Sequence, residues 1–353
     1  MKKALIITIT SIFVGGIILS SILIASHEET FIDPKQTQPV ANFRVAFIAD
    51  QGLGANAVSV LKLIKDEGAH MVLHQGDFDY VDDPHKWDKQ ISDVLGSDFP
   101  YFASIGNHDI KKWGLVIPVP NPFPDIVFGW GGYQEKLYDR LKKNPDANCI
   151  GDLGVKSSCT YQGLLFILSA PGLKNSEYDS FIEKQLGDND FIWKICSWHL
   201  NMSAMQVGKK QNQTGWEVYE ACKNNGAIIV TGHEHSYSRT KTLIDFENQI
   251  VDPEWPEPNK LRVKEGATFA AVSGLGGLSI RSQEQCFPDS SQSACSEIWA
   301  SIYTANQDAN YGALFCTFNV EGKPNKAYCY FKNIDGKIID EFSITSFVGK
   351  PTL

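Results

Sequence analysis

The sequence has no Cys-x-x-Cys pair, no block of lysine and arginine, no internal repeat and no low-complexity tract. Without Cys-x-x-Cys spacing a zinc ribbon has no ligands. Without a basic block, and with a formal net charge of −9 and a pI near 5.4, no nucleic-acid binding is indicated. An anionic substrate would need local positive charge, for which a bound metal is one source. The composition is ordinary for a globular protein, 43% hydrophobic and 21% charged over 353 residues, enough for one large domain or two small ones.

Charge is also missing from residues 4–25. This run follows Lys2 and Lys3 and would reach about 33 Å as a helix, close to one bilayer core. Residues 1–26 therefore read as a signal anchor or a signal peptide. Leu23-Ile24-Ala25 and Ile24-Ala25-Ser26 are poor cleavage sites, which favours an uncleaved anchor and attachment to a membrane through the N-terminal helix. Either form places the remaining chain outside the cytoplasm, membrane-anchored or secreted. Residues 27–42, with Pro34 and Pro39, read as a linker. An ordered domain is expected over 43–346 and a short tail over 347–353.

Eight cysteines agree with export. They allow 105 pairings, among which short spacing selects Cys149–Cys159, Cys286–Cys295 and Cys316–Cys329. Cys196 and Cys222 lie in apolar surroundings, where free buried thiols are the alternative. Asn201-Met-Ser203 and Asn212-Gln-Thr214 match the glycosylation sequon.

Helical spacing predicts helices over 55–67, 133–143, 178–186 and 214–224. Apolar runs predict strands at 44–50, 70–75, 101–105, 160–170, 192–198, 226–230 and 267–272, and a three-stranded meander closes the chain over 314–347. Residues 111–148, rich in proline and aromatics, read as a long surface excursion.

Five of these strands end in residues suited to metal binding. Asp50 follows the first, Asp77 and Tyr80 the second, Asn107 the third, His199 the fourth, and His233 and His235 the fifth. In α/β sheets, sites form beyond the carboxyl ends of strands. A carboxylate and a phenolate aimed at one point suit a hard, highly charged cation such as Fe(III), while imidazole and amide oxygen suit Zn, Mn or Fe(II). Singly, a stretch of this kind is more often a turn or a half-buried histidine, the pair His233 and His235 being the strongest of the five. Five in succession carry the functional reading.

The series Asp50-x-Gly52, Gly76-Asp77-x-x-Tyr80, Gly106-Asn107-His108-Asp109, His199 and Gly232-His233-x-His235 resembles the five motifs of the purple acid phosphatases, a branch of the calcineurin-like metallophosphoesterases. Across that superfamily the first motif ends in a metal-binding histidine; here Gly52 stands in that place, and Tyr80 would supply the missing ligand, as in the purple branch. The resemblance implies an α/β fold, a four-layer αββα sandwich with a di-metal site at strand carboxyl ends. It implies Fe(III) held by Asp50, Asp77, Tyr80 and His235, and a divalent ion (Zn, Mn or Fe) held by Asp77, Asn107, His199 and His233. His108 would bind substrate oxygen or assist the leaving group, or else orient Asp109.

The implied activity is that of an exported acid phosphatase cleaving phosphate monoesters of small molecules or proteins by metal-activated hydroxide. Alternatives are a phosphodiesterase, a nucleotide or polyphosphate hydrolase, a redox role at iron, or a metal-dependent binding module without catalysis. One departure concerns the fourth motif: family members often carry another histidine shortly after it, whereas this chain has Gly208, Lys209 and Lys210. Either lysine could offer charge to phosphate or simply face solvent. The stretch before Phe43 leaves no room for an additional β-domain, so a compact form is expected.

Overall fold

Short apolar runs bounded by Gly, Asp and Asn make buried strands here, because too few residues separate the breakers for a helix to propagate. The computed structural model describes residues 40–110, 116–118, 126–127, 129–187, 189–284 and 297–349. All belong to one unit, Ile32–Leu353. The strand Phe43–Ile48 is buried at all but one position, as a strand covered on both faces must be. It runs parallel to Met71–His74 and antiparallel to Gly312–Phe318.

Two mixed sheets result. The seven-stranded sheet has the order Lys260–Val263, Ile338–Ser346, Lys326–Asn333, Gly312–Phe318, Phe43–Ile48, Met71–His74, Tyr101–Ala103. The eight-stranded sheet has the order Trp299–Tyr303, Tyr237–Thr240, Ala270–Ser273, Ile228–Thr231, Trp193–Ser197, Leu164–Ser169, Lys156–Tyr161, Asn148–Asp152. Helices Ala55–Asp66, Pro84–Leu95 and Trp130–Lys142 belong with the first sheet, and Tyr178–Leu186 and Trp216–Asn224 with the second. The fold is thus a four-layer αββα sandwich, as the motifs imply.

Polar contacts tie the inner faces together. Ser273 Oγ donates to Phe47 O at 2.9 Å, and Trp193 Nε1 donates to Asn319 Oδ1 at 2.9 Å. Buried Arg239 grips Asp340 through two oxygens, at 2.7 and 2.9 Å, while the Tyr237 hydroxyl donates to the same carboxylate at 2.6 Å. A forked guanidinium–carboxylate pair needs such completion to be tolerated away from water.

Several expectations change. Instead of one strand over 160–170, a hairpin forms from Lys156–Tyr161 and Leu164–Ser169. Gln162 and Gly163 both take positive φ, 49° and 83°, the conformation of a two-residue hairpin turn. The helix Pro84–Leu95 had no counterpart in the sequence reading, although its signals are present: Asp83 caps Lys86 N at 3.0 Å and proline occupies the first turn. Cys196 and Cys222 are joined, not free thiols, and link the His199 strand to the helix Trp216–Asn224. Cys149–Cys159 and Cys316–Cys329 pair as expected; Cys286 and Cys295 lie outside the described residues. Disulfides of this kind fit an oxidising, extracytoplasmic compartment.

The membrane-spanning expectation is corrected. Among the described residues no helix is long and apolar enough to cross a membrane. The run over 4–25 that prompted the expectation lies outside the described residues, so attachment through an N-terminal helix has no structural basis and is withdrawn.

The Cys196–Cys222 bridge closes a 26-residue separation. Replacing both cysteines with alanine is expected to lower unfolding free energy by about 3 kcal/mol. Urea denaturation of the double variant checks this, and an unchanged midpoint would show that the bridge does not constrain the unfolded chain.

Candidate metal centre

The site begins with strained backbone. Asp50, Asp77, Tyr80 and His233 all have left-handed φ, between 58° and 69°. For side chains of this kind that conformation costs about 1 kcal/mol each and persists only where neighbours impose it. The neighbours are evident. Asp50 N donates to Gly76 O at 3.1 Å, Gln51 N to Asp77 O at 3.0 Å and Gly52 N to Phe78 O at 2.8 Å, lacing the first two strand-end loops together.

Two buried aspartates do the rest, and sequence reasoning assigned neither of them this work. Asp109 accepts from Asp77 N, Phe78 N and Gly106 N at 2.7–2.9 Å. Asp79 accepts from Val81 N, Asp82 N and Asp83 N at 2.8–2.9 Å, folding the turn that brings Tyr80 back over the site. A carboxylate two residues after Asp77 and two after Asn107 was the available signal, as in Asx turns generally. Gly106 is required by proximity: a Cβ there would stand 2.1 Å from Asp77 Oδ1.

Seven sequence-predicted donors and His108 can now be placed. Asp50, Tyr80 and His235 converge: the Tyr80 hydroxyl donates to Asp50 Oδ1 at 2.8 Å and lies 3.2 Å from His235 Nε2, which is itself 3.3 Å from Asp50 Oδ1. Asp77, His199 and His233 form a second group, whose ligand atoms all lie within 4.8 Å of one another. In it His199 Nε2 is 3.3 Å from Asp77 Oδ2 and 3.2 Å from His233 Nδ1. Asn107 Oδ1 is buried without a hydrogen-bond partner. His108 donates its backbone N–H to Asp77 Oδ1 at 2.8 Å; its Nε2 is 4.0 Å from Asp77 Oδ2 and its ring centroid 4.5 Å from that of Tyr80.

Each imidazole has a partner on its other nitrogen. His199 Nδ1 is 2.7 Å from Gln75 O, His233 Nε2 is 2.7 Å from Gln213 Oε1, and His235 Nδ1 is 2.5 Å from Ser279 Oγ. Such contacts fix ring orientation and leave the facing nitrogen to a metal. Gln213 and Ser279 sit in loops, and the sequon around Gln213 gives no sign of a role at the site. Asn201, a sequon residue, is buried and donates to Gly232 O at 2.6 Å, whereas Asn212 is exposed.

The electrostatics fit a cation. Burial opposes charge on His199, but the Asp77 and Asp50 carboxylates outweigh it and lift the imidazole to about 9. Burial, together with His199 and Lys210, pushes His233 down to about 3. Burial also opposes ionisation of Asp50, yet His235, His199 and His233 hold it well below the usual carboxylate range. Burial and the carboxylates of Asp50 and Asp77 raise the Tyr80 phenol far above its ordinary range, so it keeps its proton and donates to Asp50. Anionic oxygens, imidazole nitrogens and an orphaned amide oxygen gathered out of water form a donor set that metal ions complete.

A profile of the calcineurin-like phosphoesterase family matches residues 43–237. A sequence comparison with curated proteins found no match. Among solved structures, a purple acid phosphatase from yellow lupin (Lupinus luteus) seeds is similar in fold, with TM-score 0.60 and 18% identity over 90% of this chain. The present chain spans 58% of the lupin protein. PhoD is more distant, with TM-score 0.47 and 12% identity over 89% of this chain and 74% of that one. A dimetal phosphatase from Danio rerio gives TM-score 0.44 and 9% identity over 87% of this chain and 100% of that one. The lupin likeness is one of fold alone. The family profile covers more than half of the chain and every strand-end donor lies within it; the chain belongs to the calcineurin-like phosphoesterase family, with Asp77, His199 and His233 as its candidate metal triad.

Proposed function

We propose that this chain is an extracytoplasmic acid phosphatase of the purple type, a hydrolase of phosphate monoesters whose catalytic unit is residues 43–346. The observation that carries this reading is the presence of two donor groups of different chemistry, with Asp77 acting on both. Its carboxylate is 3.3 Å from His199 in the imidazole-rich group and, after burial and Asp50, also raises the Tyr80 phenol in the other. Asp50, Asp77, Tyr80 and His235 would hold Fe(III); Asp77, Asn107, His199 and His233 would hold Zn, Mn or Fe(II). Bound there, the ions would supply Lewis acidity for phosphoryl oxygens and a nucleophile at mild pH.

The remaining work falls to the chain. Gln75, Gln213 and Ser279 hold the imidazoles in place. Asp79 and Asp109 hold the loops that carry Tyr80 and Asp77. His108, 32% exposed at its side chain, lies against the Tyr80 ring. From there its Nε2 would bind a substrate oxygen or pass a proton to the departing alcohol.

His199→Ala is expected to remove the divalent ion and nearly all turnover of an aryl phosphate while the fold survives. Elemental analysis, circular dichroism and a colorimetric assay read this together, and full activity with unchanged metal content would sink the assignment.

Tyr80→Phe tests the ferric half. A phenolate on Fe(III) transfers charge to the metal and gives a visible band, and no other proposed ligand is a phenolate. Spectra and metal content of iron-supplied wild type and variant should show the band lost and iron bound more weakly. An iron-loaded, colourless wild type, or a band retained in Tyr80→Phe, would leave Tyr80 a structural role.

The metal-free protein should also show a pH signature. His199 is raised to about 9 in the fold, above the ordinary 6.5. Its charged form therefore stabilises the metal-free fold fully below pH 6.5, and that contribution is lost as pH rises through 9. A falling Tm of metal-free protein across this window, absent in His199→Ala, is the expected outcome.

A further inference from the structure

Outside the donor groups, the segment carrying Gly208 and Lys210 is built against the site in a way the metal reading does not use. Glu234, between His233 and His235, is 1% exposed, and neither of its carboxylate oxygens has a hydrogen bond. Gly208 lies directly on this carboxylate: a Cβ there would come 2.4 Å from Glu234 Cδ and 2.5 Å from Oε1. Only a residue without a side chain lets the segment approach so closely. The segment is pinned on either side. Val207 O accepts Glu284 N at 3.0 Å, and Lys210 O accepts Nε2 of buried Gln206 at 3.1 Å.

The consequence is that two adjacent lysines differ. Lys209, with a side chain 77% exposed, pairs with Glu284 at 3.1 Å. Lys210, two residues beyond Gly208, is half-buried and has no ion pair among the described residues; burial and the Arg281 guanidinium lower its ammonium, against the opposing carboxylates of Glu234, Asp50 and Asp77. Arg281, the other cation there, is already engaged: its Nη1 donates to His233 O at 3.0 Å and lies 3.5 Å from Glu234 Oε2. A half-buried ammonium without its own carboxylate is unfavourable unless something anionic completes it.

We propose that Lys210 is a substrate-binding residue that engages a non-bridging oxygen of the phosphoryl group, and that the turn at Gly208 positions it. The proposal rests on the phosphoester hydrolase reading and deepens it. An additional cation favours the dianion of a monoester over the monoanion of a diester, so the segment sets preference between the two ester classes.

The test uses metal-loaded protein with Lys210→Met, Lys210→Arg and Gly208→Ala. Inorganic phosphate binding is measured by calorimetry, turnover with an aryl phosphate monoester and diester, and metal content by elemental analysis. Lys210→Met is expected to weaken phosphate binding and raise KM for the monoester by ~10-fold or more, the scale of one charge-assisted hydrogen bond. The effects on kcat, diester KM and metal content should be much smaller. Lys210→Arg should retain most of the affinity, and Gly208→Ala should move phosphate affinity in the same direction as Lys210→Met. Phosphate affinity in Lys210→Met equal to wild type overturns the proposal. If wild type turns over neither ester, the hydrolase reading fails by itself. The calorimetric comparison then decides the role of Lys210, with weaker binding in Lys210→Met supporting it and equal or no binding in wild type and variant overturning it.

Discussion

The carboxylate of Asp50 is the point at which the two halves of the sandwich meet. It stands just beyond Phe43–Ile48 in one sheet, and its Oδ2 accepts the backbone N–H of His233, beyond Ile228–Thr231 in the other, at 2.9 Å. Its Oδ1 takes the Tyr80 hydroxyl at 2.8 Å. Fully buried, it remains ionised because burial is outweighed by the histidines gathered around it. That arrangement ties strand pairing, loop conformation and charge into one constraint. Sliding either sheet by one residue would leave a buried carboxylate without compensation, which is among the more destabilising defects a protein can carry.

The left-handed backbone follows from the same constraint. Asp50, Asp77 and His233 must each turn sharply off a strand end to face a common point, and Tyr80 must double back to reach it. The turns hold because Asp79 and Asp109 each satisfy three backbone N–H groups that would otherwise be buried and unpaired. Aspartate thus has two separate jobs in the stretch 77–79. Asp77 faces the donor groups, taking one backbone N–H from His108 and standing 3.3 Å from His199, while Asp79 is engaged by three backbone N–H groups.

How legible this was depended on range. Strand ends such as 101–107 and 192–199 could be read because apolar run, breaker and ligand-type residue sit within a few positions. The hairpin around Gln162-Gly163 was missed because its first strand, Lys156–Tyr161, is mostly polar in sequence, so only its last two residues joined the apolar run of the second. The helix Pro84–Leu95 was missed although its cap, its proline and the i, i+4, i+7, i+8 spacing of Trp87, Ile91, Val94 and Leu95 were all visible. Contacts such as Arg239–Asp340 and His233–Gln213 join residues far apart in sequence or lying in plain loops, and only the fold makes them neighbours.

Net charge poses the remaining problem, since a chain of −9 has to receive an anion. Screening at physiological ionic strength limits the reach of distant surface carboxylates to about 8 Å, so the charges lining the site decide. There the chain supplies buried Asp50 and Asp77, which repel phosphate, against the engaged guanidinium of Arg281 and the half-buried ammonium of Lys210. The carboxylates make sense only if cations overcompensate them, and the imidazoles cannot do so alone because His233 is pushed towards neutrality by its neighbours. Metal binding at the strand ends is therefore what would turn an anion-repelling cleft into an anion-binding one.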